Sequence, residues 1–231
     1  VSPPAAKSLR ARKEQINLNN ETIKIINEAY YATTSFVDAQ IGRVLDKLKE
    51  TGLDKNTIVV FTSDHGYHLG EKGHWQKQTL YERATKVPLI FSGPGILKGV
   101  RFDNKPVELV DLYKTLMDLT GISVPSFVQG VSLKGALTGD QIIQRKSALS
   151  ELRIYVEGSM AQGYAIRTER YRLIRWYFKQ KNYYELYDHK YDINEINNVY
   201  NNENYKNISD SLIISLNSRI SEAKMKPNGI G

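Results

Sequence analysis

Residues 57–95 read TIVVFTSDHGYHLGEKGHWQKQTLYERATKVPLIFSGPG, and this stretch decides the fold. Two short apolar runs, 57–62 and 87–91, are typical of central strands that are buried on both faces of a sheet. The first run leads directly into Asp64-His65-Gly66, and the loop between the runs contains Lys77. Open α/β sheets bind their ligands just beyond the carboxyl ends of the strands. The segment therefore predicts a site at which an acid, a histidine and a lysine meet.

Amphipathic helices are predicted on both sides of this segment. Residues 21–50 carry apolar side chains at steps of three and four, and Gly52 then offers a left-handed cap. A second amphipathic pattern covers residues 106–121 and ends at Gly121. Residues 1–20 are polar, and we interpret them as an extended connector. The α/β pattern continues to about residue 140.

The pattern changes after this point, since short strands separated by turns replace the alternation of strand and helix. Strands are predicted at residues 148–151, 163–167, 171–178 and 183–187, followed by a helix at 209–223. Alternation along 171–178 places Tyr171, Leu173, Arg175 and Tyr177 on one face and Arg172, Ile174, Trp176 and Phe178 on the other. We therefore predict two domains, an α/β part at 1–140 and a small α+β subdomain at 141–231.

Composition excludes several classes of protein. The 231 residues carry a net charge of +7 and no cysteine, so a disulfide framework and a thiolate zinc site are excluded. No apolar run approaches the ~20 residues of a membrane span. No long basic run or reader motif indicates a nucleic-acid partner. The basic charge is either a solvated surface or an attraction for an anionic substrate.

Three short motifs at fixed spacing carry a resemblance to a known family. The patterns T-S-D-H-G, L-G-E-x-G-x-W-x-K and V-P-L-I-F occur in order between residues 62 and 91. They resemble the type I sulfatases of the alkaline-phosphatase superfamily, in particular the iduronate-2-sulfatase-like and choline-sulfatase-like members. The resemblance covers only the C-terminal half of such an enzyme. It implies the C-terminal part of an α/β/α sandwich, followed by a small antiparallel β-sheet subdomain with a terminal helix.

A metal site is implied by the resemblance at Asp64 and His65. Considered alone, these residues are better explained as a turn-capping acid and a packed histidine. A carboxylate and an imidazole can also complete a site begun by other carboxylates, and such oxygen-rich sites favour Ca²⁺ or Mg²⁺. In the family the corresponding pair ligates calcium, so Ca²⁺ is expected at Asp64 and His65, and Mg²⁺ is the less favoured ion.

Further site residues lie in the loop and in the small subdomain. Lys77 matches the family lysine that binds the sulfate group, although without the motif it would be an ordinary surface lysine. Trp75 either stacks on a sugar ring or packs within the loop. His74 either touches the substrate or donates a proton to the leaving group; the alternative is that it only packs within the loop. Glu71 is expected to pin this loop. Arg167 makes either an interdomain ion pair or a contact to an acidic substrate.

Other charged residues in the small subdomain are given structural or solvated roles. We interpret Arg170, Arg172 and Arg175 as a solvated basic face of the predicted strands. His189 follows a segment that resembles the family's E-L-Y-D run, and a structural role is favoured there.

Two parts of the family's apparatus are not found in this sequence. Family members carry an acidic metal-binding pair and a C/S-x-P-x-R motif, whose first residue becomes the formylglycine nucleophile. The early Ser2-Pro3 is followed by Pro4 and Ala5, without the required arginine. We therefore expect this chain to be a C-terminal portion that is inactive alone and has the missing N-terminal half as its partner.

The resemblance implies hydrolysis of a sulfate ester on a carbohydrate by an exported protein, located in the periplasm, outside the cell or in a lysosome-like compartment. Two alternatives stay open. One is a phosphonate monoester hydrolase or phosphodiesterase of the same superfamily. The other is a non-catalytic homologue that binds a sulfated glycan.

Overall fold

A computed structural model describes residues 17–103 and 105–225 of the chain. The N-terminal Ser2-Pro3 and most of the predicted connector lie outside the described residues. In the first part of the chain the helices are α1 (Asn20–Glu50), α2 (Glu82–Thr85), α3 (Asp111–Thr120) and α4 (Lys134–Thr138). The strands there are β1 (Val59–Thr62), β2 (His68–Leu69), β3 (Trp75–Gln76) and β4 (Leu89–Ser92).

Helix α1 has local signals at both ends. The Asn19 side chain accepts a hydrogen bond from the Thr22 amide at 2.8 Å, which satisfies one of the free donors of the first turn. Gly52 follows the helix with φ 72°, and its amide donates to the Lys49 carbonyl at 3.0 Å. The predicted apolar stripe is present, yet the helix has no buried residue. An amphipathic stripe normally packs against a core. In the described part of the chain no element buries the stripe of α1.

Strands β1 and β4 pair antiparallel with each other, with Val59 opposite Ser92. The prediction that these runs are central strands buried on both faces is wrong for this structure. Phe61 and Ile90 are cross-strand neighbours on one face, and they are 40% and 55% exposed. No described element covers that face, and the apolar sequence therefore leaves two large side chains in contact with solvent.

Two smaller predictions for this part are corrected. Helix α3 ends at Gly121 as expected but begins at Asp111, because the Asp111 carboxylate accepts the Glu108 amide at 2.9 Å and holds a turn before the helix. The loop predicted after Gly121 contains the short helix α4, which is closed by Gly139 in the left-handed region. None of the helices in the described ranges combines the length and apolar character that a bilayer span requires.

The small subdomain is a four-stranded antiparallel meander with a terminal helix. Its strands are β5 (Ala148–Val156), β6 (Ser159–Arg167), β7 (Tyr171–Phe178) and β8 (Lys181–Asp188), and the helix is α5 (Lys206–Lys224). Strands β5 and β6 are longer than predicted. They continue to a tight turn at Glu157 and Gly158, whose φ values of 45° and 73° suit a two-residue hairpin.

Each face of this sheet buries its own apolar cluster, and the predicted alternation along β7 is confirmed. One face joins Ile174, Trp176 and Phe178 to Leu80 and Tyr81 of the loop before α2. The opposite face packs Tyr171 and Leu173 toward α5, which contributes the buried residues Leu212, Leu216 and Ile220. The structure thus has an α/β part joined to a small sheet with a terminal helix. The exact division near residue 140 stays a prediction.

One close contact brings the site loop onto the sheet. A Cβ atom at Gly163 of β6 would lie 2.6 Å from both the Leu80 Cδ1 atom and the Trp176 ring. Only glycine therefore lets the Leu80 side chain approach the strand so closely.

Candidate functional site

The Asp64-His65-Gly66 turn follows β1, as predicted. The Gly66 amide donates to the Ala84 carbonyl at 2.8 Å, and a Cβ at this position would lie 2.0 Å from the Arg83 carbonyl oxygen. Glycine is required because two backbone segments meet here. The turn is therefore locked against helix α2.

The tautomer of His65 follows from its hydrogen bonds. Its Nδ1 lies 2.7 Å from the Gly66 carbonyl oxygen, which can only accept, so Nδ1 carries the proton. The Nε2 atom then presents a lone pair. Fixing one ring nitrogen in this way is how proteins prepare the other as a metal ligand.

Lys77 and Asp64 converge on this lone pair. The Lys77 Nζ atom lies 2.6 Å from His65 Nε2, and the Asp64 Oδ2 atom lies 3.6 Å from it. We call Asp64, His65 and Lys77 the Asp64 cluster. It lines an open groove of about 1500 Å³, whose lining also includes Arg167. The Asp64 side chain is 82% exposed, so the cluster faces solvent.

The donor set of the cluster fits part of a divalent-metal site. Neighbouring ligands around Ca²⁺ are separated by roughly 3.3–3.7 Å when each lies 2.3–2.6 Å from the ion. The 3.6 Å between Asp64 Oδ2 and His65 Nε2 matches this separation. Calcium takes 6–8 ligands, so Asp64 and His65 would supply only part of the coordination shell.

The loop that carries Lys77 is held from within. The Glu71 carboxylate accepts the Leu69 amide at 2.7 Å and lies 3.3 Å from Arg83 Nε, as expected of a residue that pins the loop. Gln76, directly before Lys77, has φ 73°. Non-glycine residues seldom adopt this conformation, and when they do it is often near functional sites.

His74 and Trp75 do not line the groove. His74 is 3% exposed, and its ring lies 5.5 Å from the His68 ring and 5.7 Å from the Tyr81 ring, measured between centroids. The Trp75 ring lies over Gly70, where a Cβ atom would come within 3.0 Å of it. Both positions favour packing, and the catalytic role of His74 and the sugar contact of Trp75 stay predictions.

His68 is the second buried histidine of this loop. Its Nε2 atom lies 2.7 Å from the Thr79 hydroxyl, and burial lowers the pKa of the ring. It also lines a smaller cavity of about 280 Å³, together with Glu71, Lys72 and Glu195. Asp64, His65, Lys77 and Arg167 do not line this second cavity, and Glu82 lines both cavities.

Arg167 forms an ion pair that joins the small sheet to α2. Its Nε and Nη2 atoms lie 3.0 and 3.3 Å from the two carboxylate oxygens of Glu82. The side chain is 15% exposed. The interdomain pair that we considered is therefore formed, while a contact of Arg167 to substrate stays a prediction.

The interpretation of Arg172 as part of a solvated basic face is wrong. Its side chain is 2% exposed, donates to Glu195 Oε1 at 2.6 Å and to the Leu80 carbonyl at 3.1 Å, and pairs with Glu82. His189, also buried, lies 2.9 Å from Glu195. We call Glu82, Arg167, Arg172, His189 and Glu195 the ion network. Pairing with carboxylates from distant segments is the reason that Arg172 can be buried.

The neighbouring arginines are also paired. Arg170 makes a two-pronged contact to the Asp188 carboxylate at 2.8 and 2.6 Å, and Arg175 donates to Asn217 of α5 at 2.7 Å. The three arginines thus serve three different contacts and do not form one solvated face.

The guanidinium groups of Arg167 and Arg172 lower the pKa values of the carboxylates in the ion network. Burial alone would raise the pKa of Glu82, but Arg172 and Arg167 outweigh it and hold that pKa at about 2. Burial likewise opposes ionisation of Glu195, yet Arg172 and the hydrogen bond from His189 lower its pKa. Both carboxylates are therefore ionised at neutral pH.

Ligand atoms of Glu82, His189 and Glu195 lie within 4.8 Å of one another, which is close enough to hold a metal ion. However, Arg172 already contacts both carboxylates. A cation would have to displace that guanidinium, so the geometry favours an ion network. The sequence analysis did not identify Glu82 and Glu195. The sequence signal that pointed to them was the alternation along β7, which places Arg172 on the same face as the apolar residues Ile174, Trp176 and Phe178.

Comparisons with known proteins indicate the family of the chain. A family model described as Sulfatase matches residues 4–122, and one described as N-sulphoglucosamine sulphohydrolase, C-terminal, matches residues 70–222. An N-acetylglucosamine-6-O-sulfatase from Bacteroides thetaiotaomicron is 37% identical over 180 residues, which are 76% of this chain and 32% of that protein.

Solved structures share the fold. A 2-O GAG sulfatase has a TM-score of 0.84 at 28% identity, over 96% of this chain and 49% of that one. A phosphonate monoester hydrolase from Silicibacter pomeroyi has a TM-score of 0.80 at 30% identity, over 91% and 44%.

The chain spans about a third of the length of the curated relatives that it matches. Sulfatases generally use a divalent metal and a formylglycine, and they are often exported or lysosomal. The two family models together match most of the chain. The chain belongs to the sulfatase family.

Proposed function

We propose that this chain takes part in the hydrolysis of a sulfate ester on a carbohydrate. The observation that carries the proposal is the convergence of Asp64 Oδ2, His65 Nε2 and Lys77 Nζ at one side of an open groove. Family membership supports the choice of reaction, and the name of the N-acetylglucosamine-6-O-sulfatase relative supports a sugar substrate.

Lys77 is proposed to bind the sulfate group. Its ammonium is a compact charge that can hold the sulfate oxygens and offset the negative charge that grows as the ester bond breaks. Its exposed position at the groove supports this role. The contact with His65 orients the ammonium in the absence of substrate.

Asp64 and His65 are proposed to hold Ca²⁺, with Mg²⁺ less favoured. When bound, such an ion supplies Lewis-acid polarisation of the sulfate. The carboxylate contributes charge, and the proton on His65 Nδ1 leaves Nε2 with a lone pair that would bind the ion in place of its contact with Lys77. The remaining ligands and the formylglycine nucleophile are proposed to come from residues outside this chain.

A partner portion of the protein is proposed to supply them. Support comes from the exposed apolar stripe of α1 and from the exposed pair of Phe61 and Ile90. Such surfaces are normally covered in a stable protein. We propose that the N-terminal half of the sulfatase covers them, and that residues 1–140 and 141–231 act as the two domains of this portion.

Arg167 and Trp75 are proposed as the sugar-side contacts. Arg167 lines the groove, although its guanidinium is already paired with Glu82. Trp75 lies on strand β3 of the β2–β3 hairpin, close in sequence to Lys77. An exported location is proposed, since a sulfated glycan is an extracellular type of substrate.

Two other functions remain as competitors. The first is a phosphonate monoester hydrolase or phosphodiesterase, and the similarity to a solved phosphonate monoester hydrolase favours it. Phosphoryl and sulfuryl groups are both tetrahedral, so a lysine and a metal could bind either of them. A non-catalytic homologue that binds a sulfated glycan is the second. Retention of all three members of the Asp64 cluster argues against it.

A substrate panel on the full-length protein tests the proposal. We expect turnover of an aryl sulfate and of a sulfated monosaccharide, and weaker turnover of a phenyl phosphonate monoester. A preference for the phosphonate would support the first competitor, and binding without turnover would support the second. Intact mass across any C/S-x-P-x-R peptide would reveal the formylglycine. The 231-residue chain alone is expected to be inactive, and turnover by it would contradict the proposed partner.

A further inference from the structure

Helix α2 connects the two parts of the Asp64 cluster. It follows the loop that carries Lys77, and its Ala84 carbonyl accepts the Gly66 amide at 2.8 Å, directly after His65. The Arg83 carbonyl lies so close to Gly66 that no side chain fits there. A shift of α2 would therefore move His65 and Lys77 relative to each other.

The N-terminus of α2 is also held by Arg172 of β7. One guanidinium nitrogen donates to the Leu80 carbonyl at 3.1 Å, and another pairs with the Glu82 carboxylate. The third nitrogen donates to Glu195 Oε1 at 2.6 Å, which anchors the guanidinium to the subdomain. A planar group held at three points has little freedom to rotate.

We propose that Arg172 is a positioning residue for the sulfate site. Through Leu80 and Glu82 it fixes α2, and through α2 it sets the separation between Lys77 Nζ and His65 Nε2. This inference rests on the function proposed above for the Asp64 cluster. Arg172 itself touches no reacting atom.

Lysine could not replace this arginine. A single ammonium could neutralise one carboxylate, but it lacks the rigid fork that spans the Leu80 carbonyl and both carboxylates. Small displacements matter in catalysis, since a misplacement of about 1 Å can cost about 100-fold in rate. A role limited to stability would instead leave the Asp64 cluster unchanged in every molecule that is folded.

The substitution Arg172→Lys separates these two roles. Arg153→Lys is the matched control, since Arg153 lies on β5 of the same sheet, is 63% exposed and pairs with Glu151 at the surface. Isotope-labelled histidine ring nitrogens in the full-length protein, assigned with His65→Gln, report the tautomer of His65. Circular dichroism and a thermal melt identify the folded fraction.

We expect the His65 nitrogen signals to shift in folded Arg172→Lys and to stay in place in Arg153→Lys. Turnover of the aryl sulfate is expected to fall about 10- to 100-fold, with kcat affected more than KM. Unchanged His65 signals in folded Arg172→Lys would overturn the proposal, even with a lower melting temperature. If Arg172→Lys does not fold, Glu82→Gln, which keeps the Leu80 contact, is expected to shift the same signals, and no shift there would overturn it.

The two proposals can fail separately. If the wild-type protein hydrolyses no sulfate ester while the His65 signals respond to Arg172→Lys, only the proposed reaction fails. If turnover is present and the His65 signals ignore both variants, only the positioning role fails.

Discussion

The Asp64 cluster and the ion network are both linked to α2, and they differ in how they hold charge. In the cluster, Asp64 is 82% exposed and His65 and Lys77 are only 12 residues apart in the sequence. In the network, Arg172 is 2% exposed and meets Glu82 across 90 residues. The cluster is therefore open to a ligand, whereas the network is already complete.

This difference indicates that the Asp64 cluster and the ion network have different roles. Exposed charges interact weakly with one another in water and stay available for a substrate or an ion. Buried charges are costly unless each is paired, and a paired set fixes the geometry around it. The ion network can therefore hold the local structure in place, while the Asp64 cluster is available for chemistry.

The largest expected effect on stability comes from Arg172→Met. Removing the guanidinium leaves Glu82 with only Arg167 and Glu195 with only His189 among their partners in the ion network, and we expect the free energy of unfolding to fall by about 3–5 kcal/mol. Urea unfolding followed by fluorescence measures it. The control Arg153→Met, at an exposed pair, is expected to cost no more than about 1 kcal/mol. Equal losses in the two variants would break the comparison.

Lys77→Ala is expected to lower kcat/KM of the full-length protein by about 100- to 1000-fold, because the cation that offsets charge in the transition state is lost. Its melting temperature should hardly change, since Lys77 is exposed. Lys55→Ala, an exposed lysine that does not line the groove, is the control and should keep wild-type kinetics. Full activity in Lys77→Ala would remove the sulfate-binding role.

Acid should weaken the network before it affects the apolar cores. The pKa of Glu82 is about 2 in the folded protein and 4.5 in its ordinary state, so its stabilisation is complete above pH 4.5 and is lost as the pH falls toward 2. The loss amounts to up to about 3 kcal/mol. Unfolding experiments between these pH values should show a flatter profile for Glu82→Gln. The exposed Glu203→Gln should follow the wild type, and an unchanged slope in Glu82→Gln would argue against the pairing.

The smallest effect on turnover is expected for His74→Gln. A proton donor in the reaction would be worth about 100- to 10,000-fold, whereas a packed residue should change kcat/KM by less than about threefold. Because His74 is 3% exposed and packs on Tyr81, we expect the small change, with unfolding free energy lower by about 1–3 kcal/mol. A large loss of kcat with unchanged stability would restore the catalytic role.

Much of the fold was predictable from local patterns. The boundaries of α1, the cap at Gly52, the alternation along β7 and the terminal helix all agree with the structure. The extension of β5 and β6 to the turn at Glu157 and Gly158 was not predicted, since a hairpin turn with one glycine gives only a weak sequence signal. The pairing of β1 with β4 and the exposure of their shared face were also missed, because apolar runs do not reveal what covers them.

Sequence patterns predicted the family, the small sheet and a site at Asp64, His65 and Lys77. Each of these predictions depends on residues that are near one another along the chain, where spacing and periodicity translate directly into position. The burial of Arg172, its contacts with Glu82 and Glu195 and the packing of His74 inside its loop became visible only in three dimensions. The physical reason is that the cost of burying a charge depends on its partners, and here the carboxylates come from segments 90 and 23 residues away.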